Sequence, residues 1–184
     1  MSRPEDDDGA LLRRVADGDR AALVALYRRH GAVVLAQINL VVPDRGLGEE
    51  ILQDTMLAVW RGAGSFGGRS QVRSWIIAIA RRQARDRLRR RRLRVVGEEA
   101  LAARPAPGPG PEEVVLERAK ATAVAGAIGT LSLPLREVVG LVFGAGLTLA
   151  ETAEVLEVPL GTVKSRLAAA RAALARSLSE EGYA

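Results

Sequence analysis

The side chains able to do chemistry in this chain are mostly cationic, and they gather in two places. The first is VRSWIIAIARRQARDRLRRRRLR, residues 72–94; with the residues just before it, 61–95 hold 12 arginines against the single acid Asp86. The second is TLAETAEVLEVPLGTVKSRLAAARAALAR, residues 148–176, where a short acidic segment precedes a basic one without a carboxylate. Guanidinium and ammonium groups pair with phosphate, and the same groups reach base edges when a helix carries them into a groove. The chemistry implied is recognition of a polyanion, not bond making. There is no cysteine, which excludes disulfides and cysteine-ligated zinc, and the single histidine, His30, leaves no His-based metal cluster or triad. His30 reads as a helix-end residue beside Gly31. The acids at Asp6–Asp8 and Glu112–Glu113 read as terminal or helix-start clusters. No cofactor, metal or enzymatic activity of the chain's own is expected.

The elements that must position these groups are helical. Thr148 and Glu151 have the Ser/Thr-x-x-Glu spacing of a capping box, so a helix should begin at Leu149. Leu149, Ala153 and Leu156 share one face, a turn falls at Glu157 and Val158, and Pro159 suits the first position of the next helix. Val163, Leu167 and Leu174 can seat that second helix, leaving Thr162, Lys164, Ser165, Arg166 and Arg171 outward. This is a helix-turn-helix, whose second helix enters the major groove.

Upstream, helices are expected over about 9–16, from Arg20 to Val42, over 44–61 beginning near Leu47, and over 72–94. The last would be about 35 Å long at 1.5 Å per residue. Its Trp75, Ile76, Ile79, Ala80, Gln83 and Leu88 form a strip that ties it to a core. The arginines are thereby presented rigidly beside the glycine-rich loop 62–71 and its Phe66. Residues 96–111, VGEEALAARPAPGPGP, cannot continue a helix and read as an extended linker. A helix over 112–131 follows, and then LREVVGLVFGAG, apolar nearly all round and expected at the centre of the second unit.

The fold class expected is all-α: two small helical domains, 1–95 and 112–184, joined by a Pro/Gly-rich linker. Aromatics are only 3% of the chain, so the cores are Leu, Val, Ile and Ala. No apolar run approaches the roughly 18–20 residues of a membrane span, so no membrane association and a cytoplasmic protein are expected. The net charge of +5 is unevenly placed, −3 over 1–60, +11 over 61–95 and −3 over 96–184, which attracts a polyanion to one surface.

Three blocks, GEEILQDTMLAVWR (48–61), SFGGRSQVRSWIIAIARRQARDRLRR (65–90) and LPLREVVGLVFGAGLTLAETAEVLEVPLGTVKSRLAAAR (133–171), resemble the bacterial RNA polymerase sigma factors of the extracytoplasmic-function (ECF) group. The resemblance implies promoter-specific initiation with core RNA polymerase, through a region-two domain, the linker and a region-four domain. It implies that Glu50, Gln53 and Asp54 contact the β′ clamp helices. The 62–94 segment, with Phe66, Arg73, Trp75, Arg81, Arg82 and Arg85, would melt and read the −10 element. Region four would read the −35 element through Thr162, Lys164, Ser165, Arg166 and Arg171 and rest on the β flap. An anti-sigma factor is a further implied partner. Two departures stand out: Arg82 where many members have Asn, and Ala168 and Ala169 where relatives are often bulky or basic. A stand-alone helix-turn-helix regulator is the alternative, and an RNA-binding adaptor a more distant one.

Overall fold

Capping explains where the first helices begin and end. In the computed structural model, which describes residues 4–95 and 125–180, α1 runs Pro4–Ala16 and α2 Arg20–Val41. Asp19 caps α2 by accepting from the backbone N–H groups of Ala21 and Ala22, and Gly18, at φ +90°, makes the tight turn before it. Asp44 accepts from the Leu47 N–H at the start of α3, Arg45–Gly62. A short 3-10 turn, Ala63–Ser65, leads through the glycine loop to α4, Val72–Val95. Leu12, Val15, Leu26, Val34, Ile38, Ile51, Val59, Ile76 and Ile77 are fully buried among these helices.

In the second half, helical residues 125–130 (α5) precede α6, Leu133–Val139, and a π-helical turn, Gly140–Gly144. Gly146, at φ +67°, redirects the chain into α7, Leu149–Leu156. The capping box forms: the Glu151 N–H donates to Thr148 Oγ1 at 3.2 Å, and the Thr148 N–H to Glu151 Oε2 at 2.8 Å. Glu157 closes α7 in the left-handed region, φ 57°, and α8 runs Leu160–Glu180. Pro159 stands one position earlier than expected, since its carbonyl accepts from Thr162 N–H at 2.9 Å and so caps α8 from outside.

The halves share one apolar core. Val138, Leu141, Ala145, Leu147, Val155, Leu156, Val163 and Leu167 join the cluster built by α1–α4, and α6, the π turn and α7 pack on α2 and α4. A Cβ at Gly140 would overlap Leu40 Cδ1, so a side chain there would have to displace the end of Leu40 where the π turn meets α2. Gln37 Nε2 donates to the Gly140 carbonyl at 3.1 Å, and Arg73 Nη1 to the Ala145 carbonyl at 3.0 Å. Arg81 Nε donates to Glu137 Oε1 at 2.9 Å with side-chain exposures of 11% and 13%.

Several expectations are corrected. α1 starts at Pro4 rather than near residue 9, and Asp8, read as part of a terminal acidic cluster, is buried inside it. His30 is not a helix-end residue: it lies inside α2, 3% exposed, because α1 folds back over that face. The buried strip of α4 is Val72, Ser74, Ile76, Ile77, Ala80 and Ala84, with Trp75, Ile79 and Leu88 half-buried. The strip is turned because α4 is covered by α2 and α3 and again by α7. On α7, Thr152, Val155 and Leu156 are the buried residues, with Leu149 and Ala153 at the margin. Phe143, expected inside, is 61% exposed. The wide turn is the reason: Ala145 N–H reaches back five residues to the Gly140 carbonyl, and the added residue breaks the 3.6-residue phase. The linker 96–111 and most of the helix expected over 112–131 lie outside the described residues.

Thr148→Ala removes the N-cap acceptor of the helix-turn-helix. A loss of about 1 kcal/mol in unfolding free energy is expected, read from chemical denaturation of the full chain.

Candidate nucleic-acid interface

The loop before α4 folds onto it through aromatic contact. The rings of Phe66 and Trp75 lie 5.2 Å apart and are tilted by 58°, a favourable edge-inclined geometry. Trp75 also borders Gly62. Gly68, at φ +68° with open space around it, ends the loop in solvent. Six residues expected to work together therefore divide. Phe66 and Trp75 form one unit. Arg73, Arg81 and Arg85 face the second half, through Ala145, Glu137 and, more loosely at 3.6 Å, Glu157. Arg82 points outward, exposed and without an ion pair among the described residues.

On α8, Val163, Leu167 and Ala170 are buried, which fixes the opposite face. Lys164, Ser165 and Arg171 are exposed there, with Thr162 and Arg166 half-exposed. Ser165 Oγ donates to the Thr162 carbonyl at 3.0 Å, so its hydroxyl is held along the first turn. The Arg171 guanidinium lies 5.9 Å from the Phe143 ring centroid, a cation–π contact. Ala168 and Ala169 leave the middle of this face low and open.

The stripe on α3 is outward too. Glu50 and Gln53 are exposed and Asp54 half-exposed, and Leu57 completes the i, i+3, i+4, i+7 row at 51% exposure. Sequence reasoning missed Leu57, although that spacing from Glu50 was the available signal. Arg87 of α4 reaches this row, its Nη2 2.5 Å from Asp54 Oδ2 and its Nη1 3.4 Å from Glu50 Oε2. Arg91 similarly approaches Asp44 at 3.6 Å. Rows of acids and an exposed leucine suit a basic protein partner; the arginine and lysine surfaces suit nucleic acid.

Comparison with known proteins converges on one family. Residues 26–94 match the model of sigma-70 region 2, and residues 127–176 match that of sigma-70 region 4. The chain is 38% identical over 180 residues to the ECF RNA polymerase sigma factor SigM of Mycobacterium tuberculosis, covering 96% of this chain and 87% of the relative. The chain belongs to the ECF sigma factors. SigK of Mycolicibacterium vanbaalenii is 35% identical, covering 86% of this chain and 82% of the relative, and the RNA polymerase sigma factor CnrH of Cupriavidus metallidurans is 33% identical, covering 97% of each. The fold agrees with a solved structure of CnrH in complex with the cytosolic domain of CnrY, at a TM-score of 0.68 and 24% identity over 94% of this chain and 97% of that one. It also agrees with RpoE of Bartonella quintana in complex with the anti-sigma factor NepR, at 0.64 and 23% over 84% and 97%. As a sigma factor, the protein binds core RNA polymerase and directs promoter-specific initiation. No helix among the described residues is long and apolar enough to cross a membrane.

The first half of this sigma factor also contains a buried polar cluster that the sequence did not announce. His30 Nε2 lies 2.7 Å from Asp8 Oδ2, and Arg29 pairs with the other carboxylate oxygen. A carboxylate only accepts, so Nε2 carries the hydrogen. Burial pushes the His30 imidazole below its ordinary 6.5, and Asp8 opposes that without reversing it. The folded chain thus takes up the His30 proton less readily than the unfolded chain. The contribution is complete above pH 6.5 and is lost as pH falls below it. Stability measured by denaturant titration should fall as pH drops below about 6.5, and His30→Gln, which retains a donor toward Asp8, should flatten that segment of the profile.

Proposed function

We propose that three surfaces divide the work of initiation. The α3 row of Glu50, Gln53, Asp54 and Leu57 docks on the β′ clamp helices of core polymerase. The Phe66–Trp75 unit and the arginines Arg73, Arg81, Arg82 and Arg85 open and read the −10 element, with the glycine loop receiving an unstacked base. The outward residues of α8, Thr162, Lys164, Ser165, Arg166 and Arg171, read the −35 element while region four rests on the β flap. The domains are 1–95 and 112–184, with 96–111 linking them. The protein carries no catalytic step of its own, works in the cytoplasm and is held in reserve by an anti-sigma factor, in line with the anti-sigma complex of the Bartonella relative.

The observation that carries this reading is the ordered pair of sigma-70 region matches with a separate exposed surface in each. Charge supports the division, since the α3 row is acidic and apolar whereas the outward face of α8 is cationic. Run-off transcription with purified core enzyme, paired with a gel shift lacking it, tests the whole. Promoter-directed transcripts only with polymerase support a sigma factor working in this way; tight, selective binding by the free chain would favour a stand-alone regulator.

Lys164→Ala or Arg166→Ala should weaken −35 discrimination by about 1–3 kcal/mol in competition binding to holoenzyme. Unchanged selectivity would remove that side chain from the interface. Leu57→Ala should lower affinity for core polymerase by about 1–2 kcal/mol without altering the promoter preference of the holoenzyme that still forms, as measured by titration against labelled core.

A further inference from the structure

The geometry points to Phe143 as a positioning residue for −35 binding: its ring holds the Arg171 guanidinium at the edge of α8 with the N–H donors free for a phosphate of the DNA backbone. This rests on α8 being the −35 reader.

Phe143 is 61% exposed, an unfavourable place for an apolar ring in water. The π turn Gly140–Gly144 carries it outward, and there Arg171 Cζ lies over the ring, 5.9 Å from its centroid. The ring comes from the turn that precedes the helix-turn-helix, so the contact is tertiary and α8 cannot make it alone.

The kind of partner matters. A carboxylate beside a guanidinium offsets its charge and takes its N–H groups, as Glu137 does for Arg81. An aromatic ring engages the flat face through its quadrupole and leaves the charge and the in-plane donors available. No acid competes on α8 itself, since the sequence has none from Val158 to Ser179, and among the described residues Arg171 forms no ion pair. A long exposed side chain loses rotamer freedom when it binds. A ring that already limits Arg171 makes that loss smaller.

Placement along α8 says which part of the DNA is met. Arg171 stands about 16 Å along the axis from Leu160, and Lys164 lies about two turns nearer the start on the same flank. Residues near the start of a recognition helix reach base edges, whereas one this far along meets the sugar-phosphate wall of the groove. Ala168, between them on that flank, is exposed but too short to reach DNA, which leaves the wall to Arg171. Phosphate contacts fix register and affinity and carry no sequence information directly. Phe143 therefore acts on how tightly a −35 element is held, not on which one.

The test uses holoenzyme assembled from core polymerase and the full chain, with a duplex that the parent holoenzyme itself selects from a random-sequence pool. In the free full chain, the Arg171 side-chain protons should carry an upfield ring-current shift in NMR spectra, kept in Phe143→Tyr and lost in Phe143→Leu. Phe143→Leu should weaken duplex binding about 2- to 5-fold with unchanged base preference at every selected position, and Phe143→Tyr should bind as the parent does. Arg171→Ala should cost at least as much and flatten the log K against log salt slope by about 0.9, the share of one phosphate. The double variant Phe143→Leu/Arg171→Ala should bind like Arg171→Ala alone, a non-additivity that lost packing at Phe143 would not produce. The proposal is overturned if the parent shows no ring-current shift, if Phe143→Leu or Arg171→Ala binds like the parent, or if the two losses multiply in the double variant. Lys164→Ala keeps the two readings apart. Should it and Arg171→Ala both leave binding unchanged, α8 is not the −35 reader; should both weaken binding while Phe143→Leu does not, α8 keeps that role and the brace alone is refuted.

Discussion

A guanidinium cannot enter a protein interior alone, and that constraint organises this molecule. α4 must be buried on part of its circumference, because Ile76, Ile77, Ala80 and Ala84 have to leave water, yet it brings a dense row of arginines with it. The solution is to set carboxylates on both sides. On one flank the N-cap Asp44 and Glu50 and Asp54 of α3 receive Arg91 and Arg87; on the other, Glu137 and Glu157 of the second half receive Arg81 and Arg85. The charge segregation of the chain, strongly positive over 61–95 and mildly negative on either side, is the linear record of that arrangement. The exposed pairs contribute little individually. The Arg81–Glu137 pair is different, since removing one partner would leave the other charge buried.

Local signals were legible in the sequence wherever the chemistry acts within a few residues. The capping box at Thr148, the turn at Glu157 and Val158, and the buried Val163 and Leu167 all occur where spacing places them. The outward character of Lys164 and Ser165 follows from the same phase, as does that of Glu50 and Gln53 on α3. Resemblance to a family supplied the roles, and the matches over 26–94 and 127–176 bear out the family itself.

What was not legible depends on contacts between distant segments. His30 reads as a helix end until α1 folds over it with Asp8, 22 positions away. The strip on α4 was misphased because periodicity assumes one covered face, and α4 has neighbours on two. Leu57 belonged to no reading of the sequence, although its 51% exposure places it with Glu50, Gln53 and Asp54. Arg81 shows the deepest limit: nothing in its neighbourhood distinguishes it from Arg82, yet one is paired and buried with Glu137, 56 positions on, and the other is free in water.

The π turn at Gly140–Gly144 also bears on how such a chain can vary. A π turn is an α-helix carrying one surplus residue, so the backbone here can lose a residue and still close its hydrogen bonds as an ordinary helix. The local cost would be small, but each helical residue advances the chain by about 100°, and the direction of everything beyond the turn would change. A one-residue deletion between Gly140 and Gly144 would then act as a rotation of the helix-turn-helix relative to α6. Length changes at this point are thus a means of re-aiming a DNA-reading unit without rebuilding it.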